Sequence, residues 1–492
     1  MTSLSPFRIP RARRTDEPAP DSLSPFRYPR ARGAGKSALD YWEPEDRLFW
    51  AREGAQVARR NLLLSIPALV LSFAVWMVWS VVVVQLPHVG FHFSANQLFW
   101  LAALPGLAGG TLRLFFSFMV PVFGGRTWTA LSTAALLVPT IGLALAVQDP
   151  ATGYPTFLAL ALLAGIGGGN FASSMANISF FYPIEQKGAA LGWNAGLGNL
   201  GVSLAQLAVP LVVGAALFGA FGGAAQTWTD GGATREVWLQ NAGYVWVPLI
   251  VLCALAAWLG MDDLAPVKAS FEDQAVIFMR KHNWILSWLY LGTFGSFIGF
   301  AAGFPLLAET DFAGVHATTY AFVGPMLGAL ARPAGGWLAD RIGGARVALA
   351  SFGVMGFVIA TLLFAHSADG QPGYALFLAL FTLLFIASGA GNGAVFQMIP
   401  VVFIADRRRA FAGQAGASAR AVAEGTLESA ASLGFASAIA AFGGFFIPKA
   451  YGTAVALTGG TAAALYPFLA FYVSCALVTW WFYAREGAES PC

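Results

Sequence analysis

The chain of 492 residues is 57% hydrophobic and only 11% charged, with a mean hydropathy of +0.65 and a formal net charge of +3. A soluble protein carries roughly a quarter charged residues, so a water-soluble globular fold is excluded. Two of the three cysteines, Cys253 and Cys475, lie in apolar segments and the third is Cys492, which excludes a disulfide framework; no nucleic-acid partner is expected, and the net charge says little beside where the charges sit.

Residues 1–55 read as a cytoplasmic, disordered tail. Within it "LSPFRIPRAR" at 4–13 recurs as "LSPFRYPRAR" at 23–32, and the absence of an apolar core there predicts no cleavable signal peptide. Apolar blocks then follow at 61–86, 97–119, 127–147, 155–182, 188–218, 243–260, 284–308, 317–338, 344–365, 373–403, 426–447 and 461–484. Each is long enough to cross a hydrocarbon core of about 30 Å as a helix. The expected protein is an all-α membrane protein of twelve transmembrane helices. A six-helix bundle at 56–260, a cytoplasmic linker at 261–283, a second six-helix bundle at 284–485 and a short C-terminus at 486–492 complete the division. Of the 28 Lys and Arg residues, 24 fall in the termini and the even-numbered loops, and only Arg235 and Lys449 fall in odd-numbered loops. The positive-inside rule then puts both termini in the cytoplasm.

The two halves repeat one another. "LPGLAGGTLRLFFSFMVPVFGGRTW" sets Arg113 eleven residues before Gly124, and "VGPMLGALARPAGGWLADRIGGARV" sets Arg332 eleven before Gly343. Helix four carries "GGGN" ending at Asn170 and helix ten "GAGN" ending at Asn392, 57 and 60 residues beyond the respective arginines. Parallel six-helix repeats describe the major facilitator architecture, whose substrate sits near mid-membrane between the halves. The stretch "GGWLADRIGGARV" resembles that superfamily's loop signature, in which Asp340 and Arg341 are expected to cap helix ends and lock a cytoplasmic gate.

Arg113 and Arg332 stand well inside predicted helices, where each costs roughly 2.5–3.5 kcal/mol on insertion scales and so implies an interior role. No carboxylate is placed to pair with them: Asp149, Asp230, Glu236, Glu309, Asp311 and Asp369 read as external, and Glu185, Asp262, Asp340 and Asp406 as cytoplasmic, with Glu424 and Glu428 near the start of helix eleven. Two uncompensated guanidiniums predict a cavity for a small anion, which a planar fork can grip in bidentate fashion. All five histidines lie in or beside loops, so a proton has no obvious carrier and anion exchange is favoured over symport. The helices hold no His/Cys/carboxylate grouping, so no metal, cofactor or enzyme centre is expected.

"GGGNFASSMANISFFYP" (167–183) and "GAGNGAVFQMIP" (389–400) resemble the two signature motifs of the nitrate/nitrite porter family, NarK-type, within the major facilitator superfamily. The resemblance runs from "DYWEPEDRLFW" at 40–50 to helix twelve. It implies a monomeric, multi-pass protein of the bacterial inner membrane whose partners are nitrate, nitrite and the lipid bilayer. Nitrate would be held between Arg113 and Arg332, sandwiched by Phe73, Tyr290 and Phe294, with a polar contact from Asn199 and a lining from Gly434 and Ser437. Ala195 departs from the family glycine. Small residues allow close helix approach, so Gly167, Gly168, Gly169, Asn170, Ser173 and Asn177, with Gly389, Gly391, Asn392 and Gly393, are assigned to packing and gating. Family members either exchange nitrate for nitrite or import nitrate with protons; exchange is the preferred reading, with proton symport and exchange of other small anions as alternatives.

Overall fold

The computed structural model describes residues 38–39, 41–230, 232–264, 275–312, 317–368, 373–414 and 416–492. Eleven helices are long and apolar enough to span a bilayer: α1 (Arg47–Gln85), α2 (Ala95–Phe116), α3 (Gly125–Ala146), α4 (Tyr154–Phe181), α5 (Ile184–Val212), α6 (Asn241–Gly260), α7 (Lys281–Asp311), α9 (Gly344–Ala365), α10 (Tyr374–Ala410), α11 (Ala417–Thr458) and α12 (Ala462–Ala484). Helix α8 (Val323–Ile342) completes the twelve; Arg332, Asp340 and Arg341 lower its apolar character. Four short strands accompany them: β1 (Ala38–Leu39), β2 (Gln226–Asp230), β3 (Ala233–Val237) and β4 (Asp263–Leu264). Odd helices run from the face that carries both chain ends, here the termini face, to the distal face, and even helices return.

The breaks follow local chemistry. Tyr182 and Pro183 are extended between α4 and α5, because Pro183 disfavours the helical region for its predecessor. Gly124 and Gly343 take positive φ at the matching turns before α3 and α9, where a side chain would be strained. Ser94 and Gln97 form a capping box at the start of α2.

Several boundaries differ from expectation. The tail is not disordered up to residue 55: Asp46 caps the backbone N–H groups of Leu48 and Phe49, and the helix begins at Arg47. This segment packs on the end of α4, with Trp42 Nε1 donating to the Phe180 carbonyl and Trp42, Phe49 and Phe181 in edge contact. Aromatic burial against α4 explains its order. The duplicated 4–13 and 23–32 segment lies outside the described residues. Strand β1 pairs in parallel with β4, and β2 with β3 forms an unforeseen antiparallel hairpin between α5 and α6. Helix α11 continues to Thr458, so Lys449 is a helical residue rather than a loop one. Likewise Glu309 and Asp311 end α7, and Asp406 lies in α10.

Carboxylates brace the termini face within each half. Asp262 is fully buried and receives Arg60 and Asn61, while Asp263 caps the first N–H groups of α3 at Arg126 and Thr127. In the second half Glu428 is gripped by Arg280 at 2.6 and 2.9 Å, with Arg407 beside it. Lys281 donates to Glu489, which holds that carboxyl below its ordinary range.

Candidate functional site

Between the halves α1 meets α7, α2 meets α7 and α11, and α5 meets α8. The distal part of this seam is closed. A Cβ on Gly106 of α2 would lie 2.2 Å from the Gly444 backbone of α11, and Gln206 of α5 donates to the Ala301 carbonyl of α7 at 2.7 Å. Toward the termini face the seam parts. Gly188, Gly192 and Gly196 of α5 and Gly434 of α11 face open space, along lines that lead to Asn199 and Ser437. The lock expected of Asp340 and Arg341 is accordingly not made. Both are exposed, Arg341 lies over the Trp337 ring at 3.8 Å, and Asp340 has no ion pair among the described residues. The charged clusters that do form, around Asp262 and Glu428, tie each half to itself.

At the closed end of that opening stand the two arginines, each almost fully buried. Arg113 is held by backbone: its Nε donates to the Gly168 carbonyl of α4 at 2.8 Å, and one terminal nitrogen donates to the Ser437 carbonyl of α11 at 2.9 Å. Its other terminal nitrogen has no partner. Arg332 reaches the Tyr290 hydroxyl at 3.5 Å and likewise keeps one terminal nitrogen without a partner. Among the described residues neither forms an ion pair. Buried polar groups are almost always satisfied, and charged ones most of all, so one spare donor on each arginine marks a place for an acceptor.

Rings fill the rest of the site. The Arg113 guanidinium lies 4.5 Å from the Phe171 centroid, 5.2 Å from Trp76, 5.2 Å from Phe294 and 6.0 Å from Phe73. Tyr290 stacks on Phe294 at 5.7 Å, and Phe294 stacks across the seam on Phe171 at 6.2 Å with planes 25° apart. A π-turn over Leu291–Gly295 sets Tyr290 and Phe294 at this angle, a local distortion common at functional sites. Phe73, Tyr290, Phe294, Ser437 and both arginines are thus brought together. Gly434 enters through its carbonyl, which receives the Ser437 hydroxyl. Asn199 is buried at the α5 bend with its Oδ1 unpartnered, and Ala195, one turn away, is fully buried.

Phe171 and Trp76 went unread in the sequence. Phe171 follows Asn170 inside the first motif, but that place does not set it apart from the other phenylalanines of the chain. The remaining motif residues pack helix against helix, and two of them touch the arginines: the Gly168 carbonyl receives Arg113, and Gly393 lies against the Arg332 backbone. Added Cβ atoms on Gly167, Gly168 and Gly169 would strike Ser72, Gly109 and Leu112, and on Gly389, Gly391 and Gly393 they would strike Gly328, Ser351 and Arg332. Asn170 donates to Ser72 and to the Ser132 carbonyl, and Ser173 to the Asn170 carbonyl. Asn177 is buried in α4 and Asn392 in α10. The first motif knits α4 to α1, α2 and α3, and the second knits α10 to α8 and α9.

Residues 68–423 match the family model described as Major Facilitator Superfamily. The chain is 48% identical over 448 residues to the nitrate/nitrite transporter NarU of Salmonella typhimurium, covering 91% of this chain and 96% of that one. It is 40% identical over 459 residues to "Probable nitrate/nitrite antiporter NarK2" of Thermus thermophilus, covering 92% and 97%. The chain belongs to the nitrate/nitrite porters of the major facilitator superfamily. Among solved structures this porter resembles a D-xylose-proton symporter with a TM-score of 0.58 at 17% identity, over 86% of this chain and 97% of that one, which speaks to fold alone. The porter is a multi-pass membrane transporter and not an enzyme.

Proposed function

We propose that this porter exchanges nitrate for nitrite across the bacterial inner membrane, with both termini cytoplasmic and the anion held between Arg113 and Arg332. The observation that carries the reading is the pair of buried guanidiniums, one from each half, each with a spare donor and, among the described residues, neither paired to a carboxylate. Two like charges in a poorly screened cavity repel. An anion between them offsets that repulsion and draws the halves together, which couples binding to alternating access. A flat anion between two rings needs about 7 Å from ring to ring, two carbon contact distances. The Phe171–Phe294 pair therefore parts by about 1 Å to admit it. Exchange is favoured over symport because, among the described residues, no carboxylate or histidine contacts the arginines: His282 sits at the termini-face end of α7 on Tyr483, and His88 at the distal face near Glu309.

Nitrate uptake into proteoliposomes tests this. Uptake is expected to require internal nitrite or nitrate and to ignore an imposed pH gradient; uptake into anion-free vesicles driven by that gradient would establish symport instead. Strong inhibition by phosphate or formate would move the substrate class. Phe171→Ala is expected to raise the KM for nitrate roughly tenfold, because the ring lies over the Arg113 guanidinium at 4.5 Å and its loss removes a cation–π contact worth about 1 kcal/mol or more that positions the arginine. An unchanged KM would remove Phe171 from the site.

A further inference from the structure

The distal face poses an electrostatic problem for an anion porter. Among the described residues it carries Asp149, Asp230, Glu236, Glu309 and Asp311, against the basic side chains Arg235 and Lys449. Arg235 lies on the hairpin, stacked over Trp228 at 4.1 Å. Lys449 lies on α11 at the seam between the halves. Its ammonium donates to Asn96 Oδ1 at 3.1 Å and sits 4.7 Å from the Trp100 ring, and both partners belong to α2 of the other half.

The contacts around it form a zipper along α11. Phe442 lies against Gly110, Phe445 against Trp100, Lys449 against Asn96 and Trp100, and Gly452 against Phe99. Lys449 is twelve residues beyond Ser437, or about 18 Å along the helix, so it stands near the distal mouth and not in the arginine site. Opening the distal side separates α2 from α11 and strips the ammonium of both partners.

We infer that Lys449 has two alternating tasks: it latches the distal seam when that side is closed, and it becomes the cation that recruits nitrate or nitrite at the distal mouth when that side is open. This rests on the anion-transport reading above. Any fixed positive charge suits it, since recruitment at a mouth needs only long-range attraction. Attraction at a mouth acts on capture, is screened by salt, and acts from one side only.

Sided transport tests it. Nitrite-loaded right-side-out and inside-out membrane vesicles are compared for nitrate uptake in wild type, Lys449→Gln and Lys449→Arg, at low and at high ionic strength. Lys449→Gln is expected to raise the KM from the distal face roughly three- to tenfold at low salt, with the gap closing at high salt. The KM from the termini face shows no such salt-dependent rise, because there only the loss of the latch is felt, and Lys449→Arg restores the distal value. An equal rise at both faces, a rise insensitive to salt, failure of Lys449→Arg to rescue, or no change would each overturn the inference. Wild-type vesicles without nitrate flux would instead refute the transport reading itself, so the two failures are distinct.

Discussion

Arg113→Lys and Arg332→Lys are each expected to lower nitrate kcat/KM by about a hundredfold or more while leaving insertion and expression near normal. A charge-assisted hydrogen bond is worth about 1.5–3 kcal/mol, so losing two of them costs about two powers of ten or more in rate. The geometry explains why lysine cannot serve. Arg113 spends two nitrogens on the Gly168 and Ser437 carbonyls and keeps a third for the anion. One ammonium lacks the planar fork that makes these bonds in one fixed plane. Because lysine keeps the charge, its cost of membrane insertion is similar. Reconstituted flux alongside gel filtration of the purified variant decides the matter. Robust nitrate exchange in either variant would sink the site.

A comparable loss is expected from Gly393→Ala, by a different route. The new Cβ would lie 2.1 Å from the Arg332 carbonyl and close to the Gly336 backbone nitrogen, so α8 and α10 must separate. Overpacking of this kind costs about 1–3 kcal/mol, and here it also displaces the arginine proposed to hold the anion. Transport is expected to fall more than about tenfold with a lower melting temperature. Gly192→Ala is the control, because its Cβ meets open space and neither property should move. If both substitutions behave alike, the tight glycine contact at Gly393 has no bearing on transport.

The fold was largely legible because its determinants are written locally. Apolar blocks of membrane length, the Gly-Gly turns and the spacing from Arg113 to Asn170 and from Arg332 to Asn392 announce twelve helices in two repeats. Helix ends were less legible. Lys449 looked like a loop residue because a charge usually marks the end of a span, yet its Asn96 and Trp100 partners satisfy it within α11. The order of residues 41–54 escaped notice because it depends on Trp42 and Phe49 meeting Phe181, some 130 residues away in sequence. In the site, both arginines could be found by elimination of every possible carboxylate partner. Phe171 could not, since one phenylalanine in a chain with 41 carries no mark of its role until α4 is laid beside Arg113. The Asp340 and Arg341 contact is not made here for a related reason: the motif names a turn, and whether the turn closes a gate depends on where the other half stands.

Helix α8 has a consequence for how the protein is made. Alone among the twelve, it is not apolar enough to be recognised as a span, owing to Arg332, Asp340 and Arg341. A segment leaving the ribosome with such a charge in its middle partitions poorly into lipid by itself. Its polar side becomes tolerable once Gly328, Arg332 and Gly335 are backed by the α10 glycines. Insertion of α8 is therefore coupled to synthesis of a helix that emerges some 50 residues later, and the second half of the porter has to be threaded into the bilayer as a group.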